Sequence, residues 1–313
     1  MRETKIGLIG GSGLGAALAS QNQGRRHEIE TPFGKTSDAV LETAWGGVPV
    51  FVISRHGEGH RFNPTQVPYR ANIFALKQLG VTHIIASGAV GSLRDAFKPR
   101  QLVIPDQIID KTHKRANTFY ENAAVHVEFA EPFCPVLRRI LLETAQAPAP
   151  EQADVPAPAT AGPIVHPRGC YVAMEGPAFS TRAESLMHRL WGGDLIGMTC
   201  MPEAKLAREA EIAYALVALV TDYDCWKTDA HPQQQETPDP FLLLREIIGN
   251  LEAATANAMA LMKRAVETMA GMPADALESP AHHALRLGIW SDKTKLPVDE
   301  VQRLATLWGA YFQ

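Results

Sequence analysis

The stretch Ala215-Leu216-Val217-Ala218-Leu219-Val220-Thr221-Asp222-Tyr223-Asp224 decides the fold. Its first six residues are apolar without a break. A run that short, with a turn-like cluster behind it, reads as a fully buried strand, and it follows helical spacing over Glu203–Tyr214. Its end is chemically unusual. Asp222 and Asp224 stand at i and i+2, so both carboxylates leave one face of an extended chain. Nearby carboxylates raise each other's pKa, and burial raises them further. The pair is therefore either a solvated turn or an acid held protonated near neutrality, able to donate to a ring nitrogen.

The same grammar repeats outward. Lys5–Ile9 is a short apolar run that ends in glycines. Val48-Pro49-Val50-Phe51-Val52-Ile53-Ser54 ends at Arg55-His56-Gly57, and His83-Ile84-Ile85-Ala86 ends in Ser87-Gly88-Ala89-Val90-Gly91-Ser92. Leu102–Ile109, Tyr171–Met174 and Asp194–Met198 are further strands. Helical spacing marks Tyr69–Leu79 with Gly80 as its stop, Phe133–Ala145 with Pro135 in its first turn, Ser180–Trp191, Phe241–Met269, and an amphipathic segment over Val298–Tyr311 opened by Pro297. Strands alternating with helices predict an α/β fold, in which ligands gather beyond the carboxyl ends of strands. Residues 146–168 are rich in Ala and Pro and suit neither a helix nor a central strand. They are expected to be an exposed loop insertion, because the strand pattern resumes at Tyr171.

Composition excludes several classes. A net charge of −4 argues against nucleic acid as a partner, since phosphate backbones call for a basic excess. No apolar stretch reaches the ~18 residues of a membrane span. The beginning Met1-Arg2-Glu3-Thr4-Lys5 lacks a signal-peptide pattern, and Cys134, Cys170, Cys200 and Cys225 are too scattered for a zinc motif. A cytoplasmic protein with reduced thiols and no metal is expected.

Three other strand ends carry candidate chemistry. Gly10-Gly11-Ser12-Gly13-Leu14-Gly15 suits a dinucleotide loop, a phosphate loop or only a tight turn. Glu28 or Glu30 lies near the distance a dinucleotide-binding fold would use, which keeps an oxidoreductase in view. Arg55-His56, with His60 behind it, suits a phosphate through paired Arg donors, or is an exposed strand-end charge. Ser87–Ser92 reads as a nest-like turn offering backbone N–H groups, or a structural one. In Met174-Glu175-Gly176-Pro177-Ala178-Phe179-Ser180-Thr181-Arg182, Phe179 can wall a flat ring or fill a core.

The order of these segments is more specific than any one of them. Gly10-Gly11-Ser12-Gly13, Thr31-Pro32-Phe33-Gly34-Lys35, Arg55-His56-Gly57, Gly91-Ser92-Leu93-Arg94, Glu175-Gly176-Pro177-Ala178-Phe179-Ser180, Met198-Thr199 and Thr221–Trp226 together resemble the trimeric purine nucleoside phosphorylase superfamily, nearest its 5'-methylthioadenosine phosphorylase branch. The resemblance spans about residues 4–270. It implies one α/β domain over 1–270 with a mixed central sheet flanked by helices, a C-terminal helical extension over 271–313, and a homotrimer. It also implies phosphorolysis of a nucleoside, here methylthioadenosine, to free base and sugar 1-phosphate. Adenosine, 5'-deoxyadenosine and 6-oxopurine nucleosides such as methylthioinosine are the alternatives. Phosphate is a co-substrate, and neither a metal nor an organic cofactor is implied.

Residue by residue, the resemblance implies that Ser12, Arg55, His56, Ala89 and Thr199 hold phosphate. Met198 meets the ribose, Phe179 packs on the purine, and Asp222 protonates N7. Asp224, with Ser180 beside it, takes the 6-amino side. His126 reaches the 5' end of the sugar in the neighbouring subunit, and His60 is a further substrate-binding candidate. Asp222 and Ser180, where 6-oxopurine enzymes have Asn and Glu, favour adenine, because a 6-amino group is a donor that a carboxylate accepts. Gly88 departs from the Ser or Thr of relatives, which removes one expected phosphate contact.

Overall fold

The computed structural model describes residues 3–11, 24–147, 163–227 and 241–312. Its strands are β1 (Ile6–Gly10), β2 (Arg25–His27), β3 (Glu30–Thr31), β4 (Gly34–Lys35), β5 (Val40–Trp45), β6 (Val48–Ser54), β7 (His83–Ser92), β8 (Leu102–Val103), β9 (Gln107–Asp110), β10 (Val165–His166), β11 (Cys170–Ala173), β12 (Leu195–Gly197) and β13 (Ala213–Asp222). Its α-helices are α1 (Tyr69–Gln78), α2 (Pro135–Gln146), α3 (Arg182–Leu190), α4 (Cys200–Glu209), α5 (Leu242–Ala270), α6 (Val298–Arg303) and α7 (Ala305–Trp308).

The sheet is mixed, as expected. Parallel pairing joins β6 to β1, β1 to β7 and β7 to β13, while β5, β8 and β12 add antiparallel neighbours to β6, β13 and β7. Strand β13 is buried along its whole length. Tyr214, Leu216, Ala218 and Val220 join one core with α1 and α4 residues such as Phe74 and Leu206. Ala213, Ala215, Val217 and Leu219 join the other with α2 and α5 residues such as Leu137 and Met262. Helices thus cover both faces, which is why the strand is apolar throughout rather than alternating.

Several boundaries differ from the sequence reading. The helix expected over Glu203–Tyr214 ends at Glu209, and the chain turns at Glu211 with φ 54° to start β13 at Ala213. Ser87–Ser92 is not a turn but the second half of β7, paired with β13. Leu102–Ile109 is two strands, β8 and β9. Val298–Tyr311 breaks at Leu304 into α6, α7 and a final 3₁₀ turn. Of the Ala/Pro-rich segment, residues 148–162 lie outside the described residues. Leu285, Leu304, Leu307 and Trp308 from the C-terminal region are buried in the α1/α4 core, and Glu211 accepts hydrogen bonds from Leu285 N (3.0 Å) and the Tyr311 hydroxyl (2.6 Å).

Among the described residues no helix is long and apolar enough to cross a membrane. Glu209, at the end of α4, is a buried carboxyl whose burial pushes its pKa from 4.5 up to about 7, against hydrogen bonds from Phe119 N and Thr118. The folded state therefore binds this proton more tightly than the unfolded chain. The resulting stability is complete below about pH 4.5 and is lost as pH rises through about 7, a swing of roughly 3 kcal/mol. Glu209→Gln should remove that slope. Its Tm should gain on the wild type between about pH 5 and pH 8, and parallel melting curves would refute the assignment.

Candidate active site

The site begins with a gap in the sheet. Along one edge of β7, β1 pairs as far as Ala86, and β12 takes over only at Gly91. Between them no described strand covers β7, and a cavity of about 610 Å³ opens there, with Gly88, Ala89 and Val90 on its wall. This is the crevice at strand carboxyl ends that open α/β sheets use for ligands. The end of β6 delivers Arg55 and His56 to it, and the end of β13 delivers Asp222 and Asp224.

Arg55 is completely buried. Its Nε and Nη2 donate to the two carboxylate oxygens of Glu203, both at 2.8 Å, and Nη1 donates to Ser87 O at 2.8 Å. Tyr214 donates its hydroxyl to the same carboxylate at 2.8 Å. Burial alone would lower the arginine's pKa, but the charge and hydrogen bonds of Glu203 raise it. The Nε/Nη2 edge of the guanidinium is therefore taken by Glu203. What remains for an anion is a proton on Nη1 and one on Nη2. Nη1 lies against the glycine loop: a Cβ on Gly11 would sit 2.9 Å from it.

His56 stacks on His60 with centroids 4.1 Å apart, and its Nδ1 donates to Phe62 O at 2.8 Å. Burial, then the charge of Arg55, push His56 down to about 4, so near neutrality the ring is uncharged and Nε2 is an acceptor. Thr199 lines the cavity at the start of α4. A Cβ on Gly88 would meet the Thr199 hydroxyl only at 3.5 Å, so the wall has room for a side chain that this sequence omits.

The opposite end holds the aspartates. A bulge between Val220 and Asp222 sets Asp222 beside Gly91. A Cβ on Gly91 would lie 2.9 Å from Asp222 Oδ1, so only glycine leaves the carboxylate its place. Asp222 Oδ2 accepts from the Thr221 hydroxyl and Oδ1 from Asp224 N, both at 2.7 Å. Burial pushes Asp224 up, while the hydroxyls of Ser185 and Ser180 and the N–H of Cys225 pull against it. Phe179 is half exposed and faces the cavity, so it is a wall rather than a core residue. Met198 faces it too, packed so closely on Gly176 (φ 68°) that a Cβ there would be 2.5 Å from its sulfur.

Arg55, His56, His60, Ala89, Phe179, Met198, Thr199, Asp222 and Asp224 thus share one cavity. Ser180 stands just behind it, its hydroxyl 3.8 Å from Met174 sulfur. His126 does not reach this chain's own cavity; it is exposed, with its ring edge-on to Trp290 at 4.6 Å. Ser12 lies outside the described residues. The sequence reading missed Glu203, which follows Met198-Thr199 on α4, and Ile247 and Leu251 of α5, which add apolar wall. Among the described residues no group of three or more His, Cys, Asp or Glu could hold a metal ion.

The Arg55–Glu203 pair should be the most sensitive point of this site. Removing one member of a buried pair leaves the other charged and unpartnered, at a cost of about 3–5 kcal/mol. Glu203→Gln should lose that much stability in denaturant titration; a loss below about 1 kcal/mol would contradict the pairing.

Comparison with known proteins agrees with this geometry. The model of the phosphorylase superfamily matches residues 5–267. An S-methyl-5'-thioadenosine phosphorylase of Synechocystis sp. is 44% identical over 313 residues, covering 100% of this chain and 89% of that protein. One of Geobacter sulfurreducens is 43% identical over 311 residues, covering 99% of each. Among solved structures, a methylthioadenosine phosphorylase from an antarctic soil metagenomic library superposes with a TM-score of 0.79 at 42% identity, covering 98% of this chain and 99% of that one. The methylthioadenosine phosphorylase of Schistosoma mansoni, in complex with adenine, does so with a TM-score of 0.79 at 34% identity, over 92% of this chain and 99% of that one. The chain therefore belongs to the phosphorylase superfamily, in the branch that these methylthioadenosine phosphorylases make up.

Proposed function

We propose that the chain catalyses phosphorolysis of 5'-methylthioadenosine to adenine and 5-methylthioribose 1-phosphate. The observation that carries this reading is the two-ended cavity. Arg55 lies against Gly11 and Ser87 and Thr199 beside Gly88, while Asp222 and Asp224 lie beside Gly91, three residues further along β7, and Phe179 lines the same cavity. A phosphate oxygen attacks C1' as the bond from C1' to the purine N9 breaks. The transition state is oxocarbenium-like, so an anion beneath C1' stabilises it. The leaving purine takes its proton at N7 from Asp222. The Thr221 hydroxyl and Asp224 N–H then stabilise the carboxylate left behind.

The anion end works through the spare Arg55 N–H groups, the Thr199 hydroxyl, the backbone at Ala89, and Ser12. Neutral His56 complements a protonated phosphate oxygen through Nε2. Met198 meets the ribose, Phe179 stacks on the base, and Asp224, with Ser180 behind it, accepts from the 6-amino group. Ile247 and Leu251 supply apolar surface suited to a methylthio group. The reading needs phosphate as co-substrate and neither a metal nor an organic cofactor. It includes a homotrimer in which His126 completes the sugar's 5' end from a neighbouring subunit. Four free cysteines suit a reducing cytoplasm.

Incubation of the purified protein with methylthioadenosine and phosphate should release adenine in stoichiometric step with sugar phosphate; no release overturns the reading. Asp222→Asn should lose roughly 10²–10⁴-fold in kcat on methylthioadenosine, as expected of a lost general acid. Asp224→Asn should move the ratio of kcat/KM for methylthioadenosine over methylthioinosine toward the 6-oxopurine. An unchanged ratio would remove Asp224 from base selection. Gly88→Ser should lower the KM for phosphate, since the wall has space for the added hydroxyl.

A further inference from the structure

Behind the cavity, and not on its wall, lies a second buried ion pair that the proposed reaction does not use. The Arg115 side chain is 1% exposed. Its Nη1 donates to the carbonyl oxygens of Met198 and Met201 and to the Tyr69 hydroxyl (3.2 Å), and Nη2 donates to Glu175 O. Nε meets Glu175 Oε1 at 3.1 Å. The Glu175 carboxylate is itself saturated. Thr65 donates to Oε1 at 2.7 Å, and the N–H groups of His113 and Lys114 donate to Oε2 at 2.7 and 3.2 Å. Burial would raise the Glu175 pKa, but these donors outweigh it and hold it down at about 2.

The partners are not scattered. Met174 and Pro177 flank Glu175 in the loop that leads to Phe179. Met198 and Thr199 begin the segment that Arg115 holds at Met198 and Met201. Asn63, Pro64 and Gln66 surround Thr65, and Tyr69 donates to Pro64 O at 2.8 Å. Three cavity-lining loops, far apart in sequence, therefore meet on one guanidinium and its carboxylate. The phosphate end has a separate lock, Arg55 with Glu203, Ser87 and Tyr214. The two locks share no hydrogen bond.

The geometry points to Arg115, with Glu175 as its counter-ion, as the positioning residue that holds three cavity-lining loops in register: those of Pro64, of Phe179 and of Met198-Thr199. This rests on the proposed phosphorolysis. Only a planar fork reaches carbonyls on two loops together with a carboxylate; a lysine ammonium at the same place keeps the charge but cannot span them. Displacing a substrate-facing loop by a fraction of an ångström to an ångström is enough to cost roughly 10–100-fold in turnover.

Steady-state kinetics with methylthioadenosine and phosphate varied in turn test this on Arg115→Lys and on the milder Thr65→Val. Arg115→Lys should raise the KM for methylthioadenosine and lower kcat, together by roughly tenfold or more in kcat/KM. The KM for phosphate should rise as well, because Thr199 lies in the segment that Arg115 holds. Thr65→Val loosens Glu175 without touching that segment, so it should raise the KM for methylthioadenosine by a few-fold and leave the KM for phosphate within about twofold of the wild type. If Arg115→Lys does not fold, Thr65→Val carries the test alone. A folded Arg115→Lys with unchanged nucleoside constants, or a Thr65→Val whose two KM values rise in parallel, overturns the assignment. A wild-type protein that releases no adenine overturns the proposed reaction and this inference with it, so the two failures are told apart by the wild-type assay.

Discussion

Strands β7 and β13 run parallel for nearly their full ten residues, each buried, with β13 bracketed by helices on both faces. Two features of the site are departures from the regular ladder around that pair. On its far edge β7 loses β1 after Ala86 and gains β12 only at Gly91, and the opening between them is the cavity. At its end β13 bulges by one residue, which turns Asp222 toward Gly91 instead of letting the ladder close. The rigid pair positions the chemistry, and the two irregularities make room for it. A continuous ladder would leave the same residues with no place for a ligand.

Charge is handled with similar economy. Buried cations are tolerable only with partners, since desolvating a lone charge costs many kcal/mol. Arg55 has Glu203, Arg115 has Glu175, and the half-buried Lys205 has Asp110 at 2.7 Å. Neutralisation has a chemical consequence at the Arg55 end of the cavity. That end presents directed N–H and O–H groups and a neutral imidazole rather than a free pool of positive charge. Such a site selects by geometry, and it does not announce itself in the net charge of −4.

Much of the site was legible because its parts lie at strand ends, and strand ends are visible as apolar runs that stop. Arg55-His56, Asp222 and Asp224 belong to such stops. So does the Ser87–Ser92 segment, although its glycines suggested a turn where the chain stays extended: Gly91 is there to admit Asp222, while Gly88 leaves room that a side chain could fill. The helix expected through Tyr214 failed for a related reason. Ala-rich, apolar sequence suits helix and buried strand alike, and the positive φ of Glu211 that ends the helix has no glycine to mark it. The carboxylate partner of Arg55 was invisible, because it stands 148 residues away.

By itself, the sequence determined the α/β class, the apolar strands, the chemistry at their ends and the family those motifs belong to. These are local properties, read from periodicity and from short motifs in a set order. Only the tertiary structure decided which partners each charge has: that Arg55 serves Glu203 before any ligand, that His56 is held neutral by burial beside a cation, and that Arg115 joins three loops. Those outcomes depend on distances between residues remote in the chain and on the water excluded between them. No pattern along the sequence encodes either.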